Sequence, residues 1–355
     1  MKHGPIDIIK RDSSNAHTVD FSKLRFGDVF SDHMFTADYA DGGWGKPVIQ
    51  PFGPISLSPA SMVLHYGQAI FEGMKAFRQN DQSISLFRPD ENIRRLNLSA
   101  KRLCMPPFSE DLFLRALKAL IEIDSEWVPF DEGCSLYIRP LMYATEEQVG
   151  VRPSSSYRLI IMTSPVGSYF RRPVRLKVEQ EFTRAAPGGI GSAKAAGNYA
   201  SALYATTRAV DHGFDQVLWT DAATHSFVEE CSTMNVAFVI NDTLVFPEVT
   251  DTILAGVTRK SVLELARHLG FTVEERQVSV AELEQAAKEN QIQEAFGLGT
   301  AATISCVSHL GFDTETIEFP PPETWSVAPI LLQKLSEIRT DKTKDPFGWN
   351  VGLLD

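Results

Sequence analysis

Two prolines, Pro165 and Pro173, bracket the stretch PVGSYFRRP, which has a glycine inside it and an alternating segment, VRLKVEQ, directly after it. Proline and glycine together interrupt regular structure, so the chain is expected to break here into separate folding units. Length calls for such a break, because 355 residues exceed what one ordinary hydrophobic core serves. The expected division is a small N-terminal domain over 1–166, a linker over 167–174 and a larger domain over 175–355.

Both sides mix short strands with helices. SISLFR (Ser83–Arg88) alternates like a strand and follows a turn-forming RQND. ENIRRLNLSAKRL places Ile93, Leu96, Ala100 and Leu103 on one helical face, and SEDLFLRALKALIEID opens with Ser109 as an N-cap. SLYIRP and YRLIIMTS read as strands. Beyond the break come a helix ending near Gly213, the strand DQVLW, and a hairpin turning at Asn241-Asp242. The helix GVTRKSVLELARHLG stops at Gly270, and SVAE (Ser279–Glu282) has the form of a capping box. The expected fold class is α+β: a small α/β domain followed by a larger, mixed, β-barrel-like domain.

Composition narrows the function classes. Apolar residues make up 43% and charged residues 22%, as in a well-packed globule, and the net charge is −11. An acidic chain without a long basic block is a poor ligand for nucleic acid or anionic membranes. The longest apolar runs, such as Val236–Ile240, are far shorter than a membrane span, and the start MKHGPIDIIKRDSSN has no apolar leader region. The four cysteines are scattered without a CxxC, and the histidines without an HExxH. A reducing cytoplasm and no metal are the expectations.

The chemistry is suggested by GSAKAAGNYA. Lys194 is walled in by alanines, with glycines at 188, 189, 191 and 197 that permit a flat ligand to approach the backbone. Burial of a lysine disfavours its cation, and a neutral amine condenses with an aldehyde. Such a lysine suits pyridoxal phosphate, which also needs an acid at the ring nitrogen, an anion cradle and a donor to the ring hydroxyl. Glu230 in FVEECSTMN, the amides of Val257 and Thr258 at a helix start, and Tyr199 supply one candidate each. On these residues alone Glu230 also reads as a strand-end carboxylate and Tyr199 as a core aromatic.

Taken together, FSDHMF, HYGQAIFEGMKAF, LFRPDENIRRL, SLYIRP, PVGSYF, KAAGNYA, QVLWTDA, EECSTMNVAFV, LAGVTRKS and GLGTAA are similar in order and spacing to the branched-chain amino acid aminotransferases, which have the two-domain pyridoxal phosphate fold type IV. The resemblance implies that Lys194 is the lysine that carries the cofactor. It implies cofactor contacts at Arg95, Arg184, Tyr199, Glu230, Thr233, Leu254, Val257, Thr258 and Thr300. It implies substrate contacts at Phe26, Tyr66, Phe71, Tyr137, Arg139, Val151, Tyr169, Thr300 and Ala301. By periodicity alone, Tyr66 and Phe71 fit equally well as core of a helix-forming segment HYGQAIFEG.

The resemblance further implies a homodimer with its site at the domain cleft. The reaction implied is amino transfer from L-leucine, L-isoleucine or L-valine to 2-oxoglutarate, with Lys194 moving the proton and Arg139 meeting the second carboxylate of glutamate. D-amino acid aminotransferase and aminodeoxychorismate lyase share that fold and are the alternatives within it. Some animal members have a CxxC after GTA; here those positions are Ala302 and Ser305, so no thiol switch is expected. GLGTAA also fits a loose dinucleotide fingerprint, but the β-branched TISCV after it argues for a strand where that motif needs a helix.

Overall fold

The computed structural model describes residues 4–167, 172–312 and 315–353. Seven α-helices lie among them: α1 (Met62–Tyr66), α2 (Pro89–Arg102), α3 (Glu110–Ile123), α4 (Ala196–Asp211), α5 (Val257–His268), α6 (Val280–Lys288) and α7 (Ala328–Arg339). The chain divides into two compact units. The first comprises Met1–Tyr169, Ala193–Gly197 and Glu337–Asp355, and the second comprises Phe170–Ser192 and Asn198–Ser336.

This division differs from the sequence expectation in two places. The residues around Lys194 and the C-terminal stretch are both expected in the second domain, and both belong to the first unit. Backbone hydrogen bonding is the reason. Ala195 bridges to Ile70, the Phe71 N–H donates to the Lys194 carbonyl at 3.0 Å, and the strand Asn350–Gly352 pairs antiparallel with Ile84–Phe87. Backbone partners distant in sequence leave no periodic trace.

The first unit is built on one sheet. Its main path runs Asp7–Ile8, Val48–Pro51, His33–Ala40, Tyr157–Val166, Ser135–Ala144, Met74–Arg78, Ile84–Phe87, Asn350–Gly352; the first pair is parallel and every later pair antiparallel. The short strand Ala69–Phe71 pairs with the far end of Ser135–Ala144. In α2, Ile93, Leu96 and Ala100 are fully buried, and α3 buries Leu112, Phe113, Ala116, Leu117, Leu120 and Ile121. These join Phe35, Ile138 and Ile161 of the sheet in one core. Each large apolar side chain there contributes about 1.5–3 kcal/mol, more than the propensity differences that favour or oppose a helix turn. Ser109 caps α3 as expected, its hydroxyl accepting the Leu112 N–H at 3.3 Å. The helix-forming alternative for HYGQAIFEG fails: α1 ends at Tyr66, Gly67 turns left-handed at φ 61°, and Phe71 lies on a strand.

The second unit has its own sheet, ordered Val228–Cys231, Gln216–Thr220, Val174–Glu179, Thr303–Gly311, Ile292–Gly299, Asn235–Ile240, Thr243–Pro247, Val273–Arg276. Parallel and antiparallel pairs are mixed in it. The Asn241-Asp242 turn has φ 48° and 60°, the two positive values that a tight hairpin turn requires. Ser279 caps α6 by accepting the Glu282 N–H at 3.0 Å, but the reciprocal half of the capping box is replaced. The Glu282 carboxylate takes Arg276 instead, at 2.9 and 2.6 Å, because a guanidinium outcompetes a backbone amide for an anion. GLGTAA spans the turn between two antiparallel strands, Ile292–Gly299 and Thr303–Gly311, so it does not open a helix and is not a dinucleotide loop.

Candidate active site

In the first unit, Lys194 is half-buried between the buried Ala193 and Ala195. Its main chain is held from two sides: the Phe71 N–H donates to its carbonyl, and its own N–H donates to the Ser99 hydroxyl at 2.9 Å. Its ammonium nitrogen stands 4.9 Å from the centre of the Phe71 ring, and the Arg139 guanidinium stands 4.7 Å from the same ring.

Phe71 and Arg139 also line a cavity of about 270 Å³ together with Phe26, Phe30, Tyr137 and Leu141. Tyr137, Arg139 and Leu141 alternate along Ser135–Ala144 and therefore face one side, with Met162 opposite Arg139 on the neighbouring strand. Arg139 Nη2 donates to the Tyr137 hydroxyl at 2.7 Å, while its buried Nε has no hydrogen-bond partner. Among the described residues no carboxylate pairs with this guanidinium.

The structure thus brings Lys194, Phe26, Phe71, Tyr137 and Arg139 together. It does not add Tyr66 or Val151 to that cavity. Tyr66 is 42% exposed and donates its hydroxyl to the Val149 carbonyl, and Val151 is 86% exposed. Tyr169 lies outside the described residues.

Arg95 projects from α2 into a buried cluster that the sequence does not reveal. Its Nε and Nη2 bind both oxygens of Glu72, at 2.7 and 2.9 Å. Asn92 Nδ2 and the Gly73 N–H also donate to Glu72, at 2.8 and 3.1 Å. Burial pushes the Glu72 carboxyl up, but the charge and hydrogen bonds of Arg95, then the charge of Lys194, outweigh it and hold the group below its ordinary value. The one signal of this cluster in the sequence is a lone carboxylate inside the apolar run AIFEGMKAF.

The second unit carries the other candidates. Glu230 is 4% exposed on the strand Val228–Cys231. Arg184 Nη2 lies 2.9 Å from its Oε2, and its Oε1 accepts the Leu254 N–H at 2.9 Å and Asn235 Nδ2 at 3.1 Å. Arg184 also donates to the Thr252 carbonyl. Glu230 is therefore a fixed acceptor in a built site rather than a solvent-facing strand end. Leu254 acts here through its backbone amide. Asn235 and Thr252 escape a reading of the sequence because short polar side chains carry no pattern.

Val257 and Thr258 are buried at the start of α5, whose N-cap is Gly256 and lacks a side-chain cap bond. A Cβ on Gly256 would fall 2.0 Å from Asn235 Oδ1, so only glycine fits between the helix start and the residue that holds Glu230. A Cβ on Gly191 would meet the Thr252 carbonyl at 2.5 Å, so this glycine serves backbone packing rather than ligand approach. Tyr199 is half-buried on α4, Thr233 is exposed in the tight turn after Glu230, and Thr300 and Ala301 lie half-buried in the turn of GLGTAA.

These residues fit pyridoxal phosphate. A buried carboxylate held by fixed donors suits a protonated ring nitrogen. A twelve-residue helix whose first amides have no side-chain cap suits a phosphate. No cluster of His, Cys, Asp or Glu among the described residues is arranged to hold a metal ion.

The comparisons agree with this chemistry. A family model described as "Amino-transferase class IV" matches residues 69–310. The chain is 46% identical over 337 residues to branched-chain-amino-acid transaminase 1 of Bacillus subtilis (strain 168), covering 94% of this chain and 95% of that protein. Among solved structures, the branched-chain amino acid aminotransferase from Escherichia coli superposes with a TM-score of 0.74 at 26% identity, covering 91% of this chain and 99% of that one. The T.th. branched-chain amino acid aminotransferase complexed with N-(5′-phosphopyridoxyl)-L-glutamate gives 0.72 at 26%, covering 89% and 98%. With a lysine held beside an aromatic-walled cavity and a buried, donor-bound glutamate, the chain belongs to the class IV aminotransferases of the branched-chain family: a two-domain α+β transaminase that uses pyridoxal phosphate.

Proposed function

We propose that the chain moves the amino group of L-leucine, L-isoleucine or L-valine to 2-oxoglutarate, reversibly, giving the branched 2-oxo acid and L-glutamate. The observation that carries this reading is the cavity beside Lys194, which is walled by Phe26, Phe30, Phe71 and Leu141 and contains one guanidinium without a carboxylate partner among the described residues. Apolar walls suit a branched side chain and distinguish one methylene by only about 1–3 kcal/mol, so tolerance among the three amino acids follows. The open guanidinium suits the extra carboxylate of glutamate.

Pyridoxal phosphate, when bound, supplies an aldehyde for the substrate amine and a ring that stabilises negative charge at the α-carbon. The chain's residues do the rest. Lys194 Nζ would hold the cofactor and, once freed by the substrate amine, would move a proton as general base and then acid. Glu230, held by Arg184, Asn235 and the Leu254 amide, would keep the ring nitrogen protonated. Tyr199 would donate to the ring hydroxyl. In the second unit the amides of Val257 and Thr258, with Thr300, would receive the phosphate; the resemblance gives Arg95 of the first unit a phosphate contact as well, and gives Thr233 a cofactor contact. Thr300 and Ala301 also meet the substrate carboxylate, and Tyr137 orients Arg139.

A visible spectrum that bleaches on addition of L-leucine but not D-alanine supports this reading, and the reverse order would transfer the protein to the D-amino acid group. Arg139→Met should raise KM for glutamate and 2-oxoglutarate by about 10–100-fold while changing the leucine half-reaction less than about threefold. Single-turnover measurement of each half-reaction checks it. Gly256→Ala should displace Asn235 from Glu230 and weaken cofactor binding about tenfold, read by titrating the cofactor-free chain.

We also propose a homodimer in a reducing compartment. Supporting the dimer are exposed apolar side chains, Leu64, Val149 and Val151 in the first unit and Leu203, Tyr204 and Val210 along α4 in the second. Sedimentation measurements test it. Four free cysteines fit the compartment.

A further inference from the structure

Glu229, next to Glu230, has no part in the reaction as proposed, yet it is only 6% exposed. On a regular strand the two would face opposite sides. Here the pairing of Val228–Cys231 with Gln216–Thr220 shifts: Leu218 faces Cys231 and Thr220 faces Val228. Glu229 and Glu230 together oppose the single residue Trp219. This is a β-bulge, a device that re-aims side chains and is enriched beside active sites.

The effect is that both glutamates grip one segment. Glu230 accepts the Leu254 N–H, and Glu229 Oε1 accepts the Thr252 hydroxyl at 2.5 Å. The Thr252 carbonyl in turn accepts Arg184, the cation that pairs with Glu230. Thr250 Oγ1 lies 2.8 Å from the Thr252 hydroxyl and completes the string. Glu229 Oε2 is buried and has no hydrogen-bond partner. An ionised carboxylate in that position would be buried with one oxygen unsolvated, beside a second anion and with one guanidinium to share.

We propose that Glu229 is a positioning residue of the cofactor pocket that works uncharged: its protonated carboxyl fixes the Thr250–Leu254 segment through the Thr252 hydroxyl and leaves the Arg184 charge to Glu230. The description of the pocket as one for a cofactor rests on the function proposed above; the protonation and the hydrogen-bonded string do not. Burial is the main cause that pushes the Glu229 carboxyl up, to about 7. The Thr252 hydroxyl and the Arg184 charge oppose that rise, and the charges of Glu230 and Asp221 add to it.

Because the folded-state value is raised, the stability contributed by this proton is complete below the ordinary carboxylate range and is lost as pH rises through about 7. Glu229→Gln, which copies the shape of the neutral group, should therefore raise Tm above about pH 8 by about 3–6 °C and leave it near the parent value below about pH 5. Infrared difference spectra between those conditions should show a carboxylic acid carbonyl band in the parent that is missing in the variant.

Thr252→Val removes the hydroxyl that favours the ionised form and should move the pH midpoint of the parent's stability loss upward. This variant keeps Glu229 and so tests the idea even if glutamine is not tolerated. A Glu229→Gln chain that loses Tm equally at every pH, an unchanged carbonyl band, or a Thr252→Val midpoint that stays or falls would each overturn the proposal. Tm and infrared spectra are read on the full chain both with cofactor and after its removal. Failure here leaves the transaminase reading standing, and failure to transaminate leaves the titration intact.

Discussion

Lys194→Ala will lower transamination on the order of 10⁴-fold if, as proposed above, one amine both carries the cofactor and moves the α-proton. The substitution removes this chemistry with little disturbance of the fold. The contacts that place the segment, from the Phe71 N–H and to the Ser99 hydroxyl, are made by the Lys194 main chain and survive truncation. The far-ultraviolet spectrum should therefore match the parent. Hydride reduction of the parent should fix the cofactor to the peptide containing residue 194, and no label should appear in the variant. A small primary amine added in solution should restore part of the α-proton transfer, which a merely structural lysine would not permit. Full activity in the alanine variant, or label at another lysine, would refute the assignment.

Glu72→Ala will destabilise the first unit by about 3–5 kcal/mol, the usual cost of leaving one member of a buried ion pair alone. Arg95 would keep its charge in a site where its side chain is 10% exposed, and Asn92 and the Gly73 amide would lose their common acceptor. Arg95 would also lose the carboxylate that orients it, so, if it binds the cofactor as proposed, weaker cofactor binding should accompany the lower stability. The pH dependence has a definite sign. Because the Glu72 carboxyl is held below its ordinary value, its contribution is present above about pH 4.5 and is lost as pH falls through the lower folded-state value. Urea unfolding at neutral pH and near pH 4 reads both effects. Glu72→Gln should abolish this part of the acid sensitivity. An alanine variant as stable as the parent at neutral pH would show the pair to be neutral.

Glu72 in the first unit and Glu229 in the second thus respond oppositely. Glu72 has a guanidinium bound to both oxygens, so charge wins over burial. Glu229 has one hydroxyl and a shared guanidinium, so burial wins. Both are glutamates in mainly apolar stretches, AIFEGMKAF and FVEECS, and nothing in the residue order tells which of the two keeps its charge. What sets their charge lies elsewhere in the chain: Asn92 and Arg95 of α2 for Glu72, and for Glu229 burial, opposed by the Thr252 hydroxyl and the Arg184 charge.

Several elements are legible in the residue order alone. The buried stripe of α2, the Ser109 cap of α3, the Asn241-Asp242 hairpin and the α5 helix each follow from a local rule of spacing or capping. Phe26, Phe71, Tyr137 and Arg139 are implied by a resemblance carried by their neighbouring motifs, and they share one cavity. Tyr66 and Val151 are implied in the same way and stand apart from it, since a motif records neighbours in sequence and not the direction of a side chain.

By itself the order of residues carried the α+β class, through local spacing and capping patterns, and the family resemblance, through ten motifs in order; Lys194, Glu230 and the helix start at Val257 stand out only within that set of motifs. Only the tertiary structure decided that the Lys194 segment bonds to the first unit, that Arg95 pairs with Glu72, and that a bulge turns Glu229 and Glu230 onto one loop. Those outcomes depend on hydrogen bonds and burial between residues far apart in the chain, where the energy of a charge is set by partners that no local window contains.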